Sequence, residues 1–92
     1  MKREYLIFAY NIVVWLVFGF IYSFFIQNES DFLTIGNTKR DSFSAIYFSA
    51  STHSTVGFGD ITPHSVLLKS LVMLHIFLVL AGNLGIYLFL KL

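Results

Sequence analysis

Residues 52–60 read T-H-S-T-V-G-F-G-D, and this stretch decides how the rest of the chain is interpreted. Gly57 and Gly59 alternate with larger residues, and glycine readily adopts the left-handed backbone conformation because it lacks a Cβ. When successive residues alternate between right-handed and left-handed backbone conformations, their carbonyl oxygens all point to one side. There these oxygens can together replace the water molecules that a cation loses. Thr55 adds a hydroxyl oxygen to that row. The stretch indicates either a cation-binding backbone or an ordinary glycine turn.

The composition is that of a membrane protein. Of the 92 residues, 57% are hydrophobic and 12% are charged, against roughly 25% charged residues in soluble domains. The net charge of +1 leaves no basic patch for nucleic-acid phosphates, so no nucleic-acid partner is expected. Cysteines are absent, which excludes disulfide and thiolate sites. No nucleophile and base pair is recognisable, so we do not expect an enzyme.

Residues 5–26 contain no charged side chain and form the first predicted transmembrane helix. As a helix they extend about 33 Å, enough to cross a hydrocarbon core of roughly 30 Å. Trp15 lies near the middle of this span, where we expect it to pack against another helix. Residues 27–41 are polar and are predicted to form an exposed loop. Asn28 begins a glycosylation triplet of a kind common by chance, and modification is not favoured.

Residues 42–54 are predicted to form a short helix that enters the membrane without crossing it, because they are too few to span it. Asp41 or Ser42 can cap its start. Its carboxyl end would point to the membrane centre and place partial negative charge there. The irregular backbone of residues 55–59 is tolerated at that depth only when it is buried in protein or lines a water-filled path.

Residues 63–91 form the second predicted transmembrane helix. Thr62 is the candidate cap and Pro63 the candidate first helical residue. A helix over this range is about 43 Å long, so we expect it to tilt or to protrude from the membrane.

We call residues 55–59 the glycine segment. The chain therefore has the order of long helix, loop, short helix, glycine segment and long helix. This order resembles the two-transmembrane pore module of potassium channels, whose filter signature is T-x-x-T-V-G-[Y/F]-G-D. The short length and the wording T-H-S-T-V-G-F-G-D-I are similar to the miniature potassium channels encoded by large algal viruses. The resemblance implies an all-α membrane protein in which four identical copies surround one axis. Its expected partners are therefore further copies of the chain, the lipid bilayer and the permeant K+ ion, and no cofactor is expected.

The resemblance also implies an orientation. Basic residues are divided equally between the terminal side and the loop side, so charge alone leaves the topology open. By analogy with the family, both termini are placed in the cytoplasm, in a host-cell or virion membrane.

The resemblance implies a role for each residue of the glycine segment. Thr55, Val56, Gly57 and Phe58 would offer their backbone carbonyls to K+, and the Thr55 hydroxyl would be the innermost ligand. Gly59 would close the filter.

Phe58 stands where a Tyr is commoner in the family, so its ring cannot brace the filter through a hydroxyl. We therefore hypothesise that the Tyr47 hydroxyl or Ser51 holds Asp60 behind the filter. The alternative is that Asp60 is a solvated carboxylate at the outer mouth, where it would concentrate cations. The residues expected to support the filter are Asp60, Tyr47, Ser51, Thr52 and Ser54.

In the second helix, the resemblance places Leu80, Asn83 and Tyr87 toward the cavity and the inner entrance. Asn83 has an alternative use, a hydrogen bond to another helix. Gly82 and Gly85 would either form a hinge or allow close helix packing.

Three histidines recur at intervals of eleven residues, at His53, His64 and His75. They fall on the short helix, the outer turn and the second span, so we expect them to stay apart and to bind no metal. His75 is expected to be packed or hydrogen-bonded between helices.

Two other functions are alternatives to a potassium channel. A non-selective cation channel of the same architecture is disfavoured, since related non-selective filters replace the aromatic at Phe58 with an acidic residue. A structural or membrane-permeabilising helical hairpin would leave the spacing of Gly57 and Gly59 and the short helix unexplained.

Overall fold

The computed structural model describes residues 5–35, 40–54, 57 and 59–92. Within these ranges the chain forms three helices and two short strands, which confirms the predicted order of long, short and long helix. The elements are α1 (Tyr5–Ser23), β1 (Phe32–Thr34), α2 (Ser42–His53), β2 (Ile61–Pro63) and α3 (Val66–Lys91).

Both α1 and α3 are long and apolar enough to cross a membrane. Large apolar side chains on their outer faces are uncovered by the rest of the chain, as for Phe8 (67% exposed) and Met73 (70% exposed). Lipid tails or further protein must cover such faces, since water would not. The 26 residues of α3 extend about 39 Å, so tilting or protrusion of this helix is expected.

The helix α1 ends at Ser23, short of the predicted end at residue 26. The amide groups of Phe24 and Phe25 donate to the carbonyls of Ile21 and Tyr22 at 3.2 and 3.0 Å. This i to i+3 pattern is tighter than the α-helix and is typical of a helix terminus. Residues 24–26 are as apolar as the helix before them, so composition does not indicate where α1 ends.

The loop predicted over residues 27–41 is only partly exposed. It contains β1, which pairs antiparallel with β2 so that Phe32 lies opposite Pro63. Phe32 is fully buried, and its ring meets that of Phe48 edge-on with 5.1 Å between centroids. Burial of this single aromatic side chain draws the polar segment onto the helices.

The predicted start of the second long helix was wrong. Thr62 and Pro63 belong to β2, and α3 begins at Val66 with Ser65 as its cap. The Ser65 hydroxyl accepts a hydrogen bond from the Leu68 amide at 3.2 Å. Pairing with β1 holds Thr62 and Pro63 in extended backbone, so the helix starts later.

The short helix α2 is capped by Asp41, as predicted: its carboxylate accepts from the Ser44 amide at 2.9 Å. At the other end, Ser54 is the C-cap rather than the last helical residue, and α2 ends at His53.

Hydrogen bonds join α2 to α1. The Trp15 indole donates to the Ile46 carbonyl at 3.2 Å, and the Ser49 hydroxyl donates to the Trp15 carbonyl at 2.8 Å. The predicted packing of Trp15 against another helix is thereby confirmed. The close approach depends on Gly19, where a Cβ would lie 3.3 Å from the Ile46 side chain.

The core lies where α1, α2, the start of α3 and the two strands meet, toward the loop end of the molecule. It consists of Val14, Phe18, Tyr22, Ile26, Phe32, Ala45, Phe48, Ile61 and Leu68.

The two long helices approach each other at Gly82. The Tyr10 hydroxyl donates to the Leu78 carbonyl at 2.7 Å, and a Cβ on Gly82 would lie 2.0 Å from that hydroxyl oxygen. Of the two uses considered for Gly82, close helix packing is the one seen. Around Gly85, by contrast, a Cβ would meet nothing within 4 Å.

We therefore expect Gly82→Ala to destabilise the protein by about 1–3 kcal/mol, because Tyr10 must turn away and lose its hydrogen bond. Thermal unfolding in detergent, followed by circular dichroism, measures this. The matched control is Gly85→Ala, which places the same methyl group in open space. Equal unfolding temperatures for the two variants would contradict the packing role of Gly82.

Candidate functional site

The two glycines of the segment have the left-handed backbone that the sequence predicts for them. Gly57 has φ +58° and Gly59 has φ +87°, and both values lie in the left-handed region. A Cβ at either position would meet no atom of the described residues within 4 Å. The demand for glycine is therefore conformational rather than steric.

The other predicted carbonyl donors, Thr55, Val56 and Phe58, lie outside the described residues. The segment is nevertheless tied to the end of α2, because the Gly57 amide donates to the Ser51 carbonyl at 3.3 Å. The Ser51 and Thr52 side chains are buried, and the Ser54 hydroxyl donates to the Ala50 carbonyl at 2.9 Å.

Asp60 receives a hydrogen bond from the Tyr47 hydroxyl at 3.2 Å, one of the two arrangements hypothesised for it. The Tyr47 pKa is raised, first by partial burial and then by the hydrogen bond and the charge of Asp60. Tyr47 therefore stays protonated and remains the donor. This contact links the middle of α2 to the residue that follows the glycine segment.

Backbone hydrogen bonds next to the strand pair hold Asp60 from the side of the loop. The Asp60 carbonyl accepts from the Ile35 amide at 3.0 Å, and the Asp31 carbonyl accepts from the His64 amide at 2.7 Å. These bonds join the loop between α1 and α2 to the residues that connect the glycine segment to α3.

Arg40 organises this loop. Its Nη1 donates to the Ile26 carbonyl at 3.0 Å and its Nη2 to the Phe32 carbonyl at 3.1 Å. The planar guanidinium suits such a fork of acceptors, whereas an ammonium group does not. In the sequence, Arg40 is only one of the basic residues on the loop side. A lone arginine in a polar stretch carries no signal of its partners.

The three predicted cavity residues have different surroundings. Leu80 (62% exposed) and Tyr87 (49% exposed) are uncovered in the single chain, and the Lys91 ammonium lies 5.1 Å from the Tyr87 ring centroid. Asn83 instead donates to the Asn11 carboxamide oxygen of α1 at 3.0 Å. The structure therefore shows the helix-linking use of Asn83, because an amide in an apolar span bonds to the nearest polar group.

The expectation that the three histidines stay apart was wrong for two of them. His53 Nδ1 and His75 Nε2 are 3.2 Å apart, since α2 ends beside the middle of α3. The expected hydrogen bonding of His75 between helices is confirmed by this contact and by the Tyr22 hydroxyl, 2.9 Å from His75 Nδ1. The His64 side chain is exposed on the outer turn. In the described part of the chain, no group of three or more His, Cys, Asp or Glu side chains could hold a metal ion.

An open groove of about 410 Å³ runs between α2, the glycine segment and α3. Its wall includes Phe48, Thr52, Gly57, Val72 and Ile76. Gly57 and Gly59 both line this groove.

Comparisons with known proteins agree with this arrangement. The family described as ion channel matches residues 11–90. The chain is also similar to the potassium channel protein kcv of Paramecium bursaria Chlorella virus 1. The identity is 38% over 71 residues, which cover 75% of this chain and 76% of that protein. No solved structure matches the chain.

We expect Arg40→Lys to loosen the loop, since an ammonium group cannot reach both carbonyls in the same fork geometry. Hydrogen exchange at the Ile35 and His64 amides should become about tenfold faster, as hydrogen bonds from a charged donor are worth about 1.5 kcal/mol or more. Mass spectrometry of the protein in detergent measures this exchange. Lys69→Arg, a conservative change at an exposed residue, should leave both rates as they are. Unchanged rates in Arg40→Lys would show that its guanidinium does not hold the loop.

Proposed function

The chain belongs to the ion-channel family, and we propose that it is a potassium-selective channel that conducts K+ passively across a membrane. It is a membrane-spanning channel of viral type and not an enzyme. The finer statements, namely the selectivity for K+, the filter residues, the assembly and the orientation, are the content of this proposal.

The observation that supports the proposal most is the left-handed backbone at both Gly57 and Gly59. Potassium-channel filters replace the hydration shell of the ion with rows of backbone carbonyls, and they require such glycines. In the proposed filter, Thr55, Val56, Gly57 and Phe58 give these carbonyls and Gly59 ends the row. K+ is here the transported ion rather than a resident cofactor.

The position of α2 supports the same function. This helix ends at His53, directly before the glycine segment, and the Gly57 amide is bonded to its last turn. The carboxyl end of a helix carries partial negative charge. A cation that approaches the segment from within the membrane therefore meets a favourable field.

Four identical copies around one axis would complete the pathway. A single chain cannot surround an ion, and the groove beside Gly57, walled by Val72 and Ile76, is the place where a neighbouring copy would pack. Leu80 and Tyr87, exposed on α3, would then line the cavity and the inner entrance. We place both termini in the cytoplasm of a host cell, or on the equivalent side of a virion membrane.

The decisive test is the reversal potential of purified protein in a planar bilayer with potassium on one side and sodium on the other. We expect it to lie close to the potassium equilibrium value. Gly57→Ala should abolish that selectivity or the current, because alanine at φ +58° costs about 1–2 kcal/mol per residue without any steric clash. Gly85→Ala, a helical glycine with open space around it, is the matched control.

A reversal potential near zero with robust current would reject selectivity and leave a non-selective cation channel. Absence both of current and of tetramers in detergent would reject the channel and favour a helical hairpin.

A second prediction concerns the Tyr47 contact. Tyr47→Phe should make brief closures of the open channel about fivefold more frequent, as expected from losing a hydrogen bond worth about 1 kcal/mol. Single-channel recording measures this frequency. Tyr5→Phe removes the same hydroxyl from an exposed residue and should have no effect. Unchanged closures in Tyr47→Phe would show that Asp60 is held by other groups.

A further inference from the structure

A chain of hydrogen-bonded polar side chains crosses the helices α1, α2 and α3 within the membrane. It begins at a tyrosine, passes through two imidazoles and ends at a pair of carboxamides. Its members are Tyr22, His75, His53, Asn11 and Asn83.

The backbone sets the orientation of both carboxamides. Asn11 Nδ2 donates to the Ile7 carbonyl at 2.7 Å, and Asn83 Nδ2 donates to the Val79 carbonyl at 2.5 Å. A carbonyl only accepts, so the nitrogen of each amide must face it. The Asn11 oxygen therefore faces His53.

This orientation determines where each imidazole carries its proton. His53 Nε2 lies 2.8 Å from the Asn11 oxygen and must donate to it. The Nδ1 atom of a neutral His53 then accepts, so His75 Nε2 is the donor across 3.2 Å. His75 Nδ1 in turn accepts from the Tyr22 hydroxyl at 2.9 Å. From Tyr22 through His75 and His53 to Asn11 the bonds run in one direction, and each neutral imidazole carries its proton on Nε2. Asn11 and Asn83 bond to each other in both directions.

Because these side chains are buried or half-buried, each hydrogen bond of the chain is costly to lose. His75 and Tyr22 are both fully buried, and Phe18 stacks on the His75 ring with 4.2 Å between centroids. Among the described residues, no buried side-chain nitrogen or oxygen lacks a hydrogen-bond partner. A buried polar group without a partner is costly, so loss of one member leaves its neighbours unsatisfied.

The chain acts on the end of α2. His53 is the last residue of that helix, and the glycine segment follows directly. Through its two ring nitrogens, His53 is bonded to α1 at Asn11 and to α3 at His75. The bond to α3 depends on His75 presenting a proton on Nε2, which the Tyr22 hydroxyl secures from the opposite side of the ring.

We propose that Tyr22 and His75 are positioning residues of the ion pathway. They hold the His53 end of α2, and with it the start of the glycine segment, through a hydrogen-bond chain that requires the Nε2–H tautomer of both imidazoles. The effect on conduction rests on the proposed function, whereas the tautomers do not. Two measurements test these parts separately.

The first measurement is nitrogen NMR of protein labelled with 15N-histidine in lipid at neutral pH. His64→Gln removes the exposed histidine, so the remaining ring signals belong to His53 and His75. We expect a protonated Nε2 and an unprotonated Nδ1 in both rings. A proton on Nδ1 of either ring, or a doubly protonated ring, would overturn the proposed chain even if the protein conducts no current.

The second measurement is the mean open time of single channels in a planar bilayer. His75→Phe keeps a ring to stack on Phe18 but removes both ring nitrogens, and should shorten the open time by about threefold for each hydrogen bond lost. His75→Gln retains an amide donor at the position of Nε2 and should restore a large part of it. Tyr22→Phe should shorten the open time by about threefold.

The matched control is His64→Phe, the same substitution at an exposed site, which should leave the open time unchanged. Equal open times for His75→Phe and His75→Gln would assign the effect to ring packing and overturn the positioning role. If His75→Phe does not fold, the comparison of Tyr22→Phe with the unsubstituted protein decides, and an unchanged open time overturns the role. Absence of current in the unsubstituted protein would count against the proposed function, and with it the effect on conduction, while the NMR result still decides the tautomers.

Discussion

Hydrogen bonds between helices hold α2 in its place, and the candidate ion pathway depends on that place. Lipid tails are as apolar as the side chains of α1 and α3. The hydrophobic effect therefore contributes little to the free energy of association between these helices in a membrane. The bonds from Trp15 to Ile46 and from Ser49 to Trp15 therefore help to hold α2, a helix of 12 residues, against α1.

The loop end of the molecule is held by a second set of bonds, mostly to backbone carbonyls. Arg40 gathers two carbonyls of the loop after α1, and the strand pair binds that loop to the residues that follow the glycine segment. Asp60 connects α2 with the loop. Its carboxylate accepts a hydrogen bond from Tyr47 on α2, and its backbone carbonyl accepts one from the Ile35 amide of the loop. The segment after Gly59 is thus restrained from both the helix side and the loop side.

Small residues allow these contacts to form. Gly19 lets α1 approach α2, and Gly82 lets α3 approach the Tyr10 ring of α1. The two glycines of the proposed filter serve a different purpose, because nothing crowds them and only their backbone conformation requires glycine. The alternation of Gly57 with larger residues predicted its conformational use, whereas the use of Gly82 stayed open in the sequence.

The sequence by itself determined the two membrane-crossing helices, the short helix between them and the glycines with left-handed backbone. Each of these follows from local properties, namely the length of an apolar run, a capping side chain such as Asp41 and the missing Cβ of Gly57. Only the tertiary structure decided that His53 meets His75, that Asn83 pairs with Asn11 and that α3 begins after β2. These partners lie far apart in the chain. Which face of a helix meets which neighbour is set by the rotation and close approach of packed helices, and composition does not encode that rotation locally.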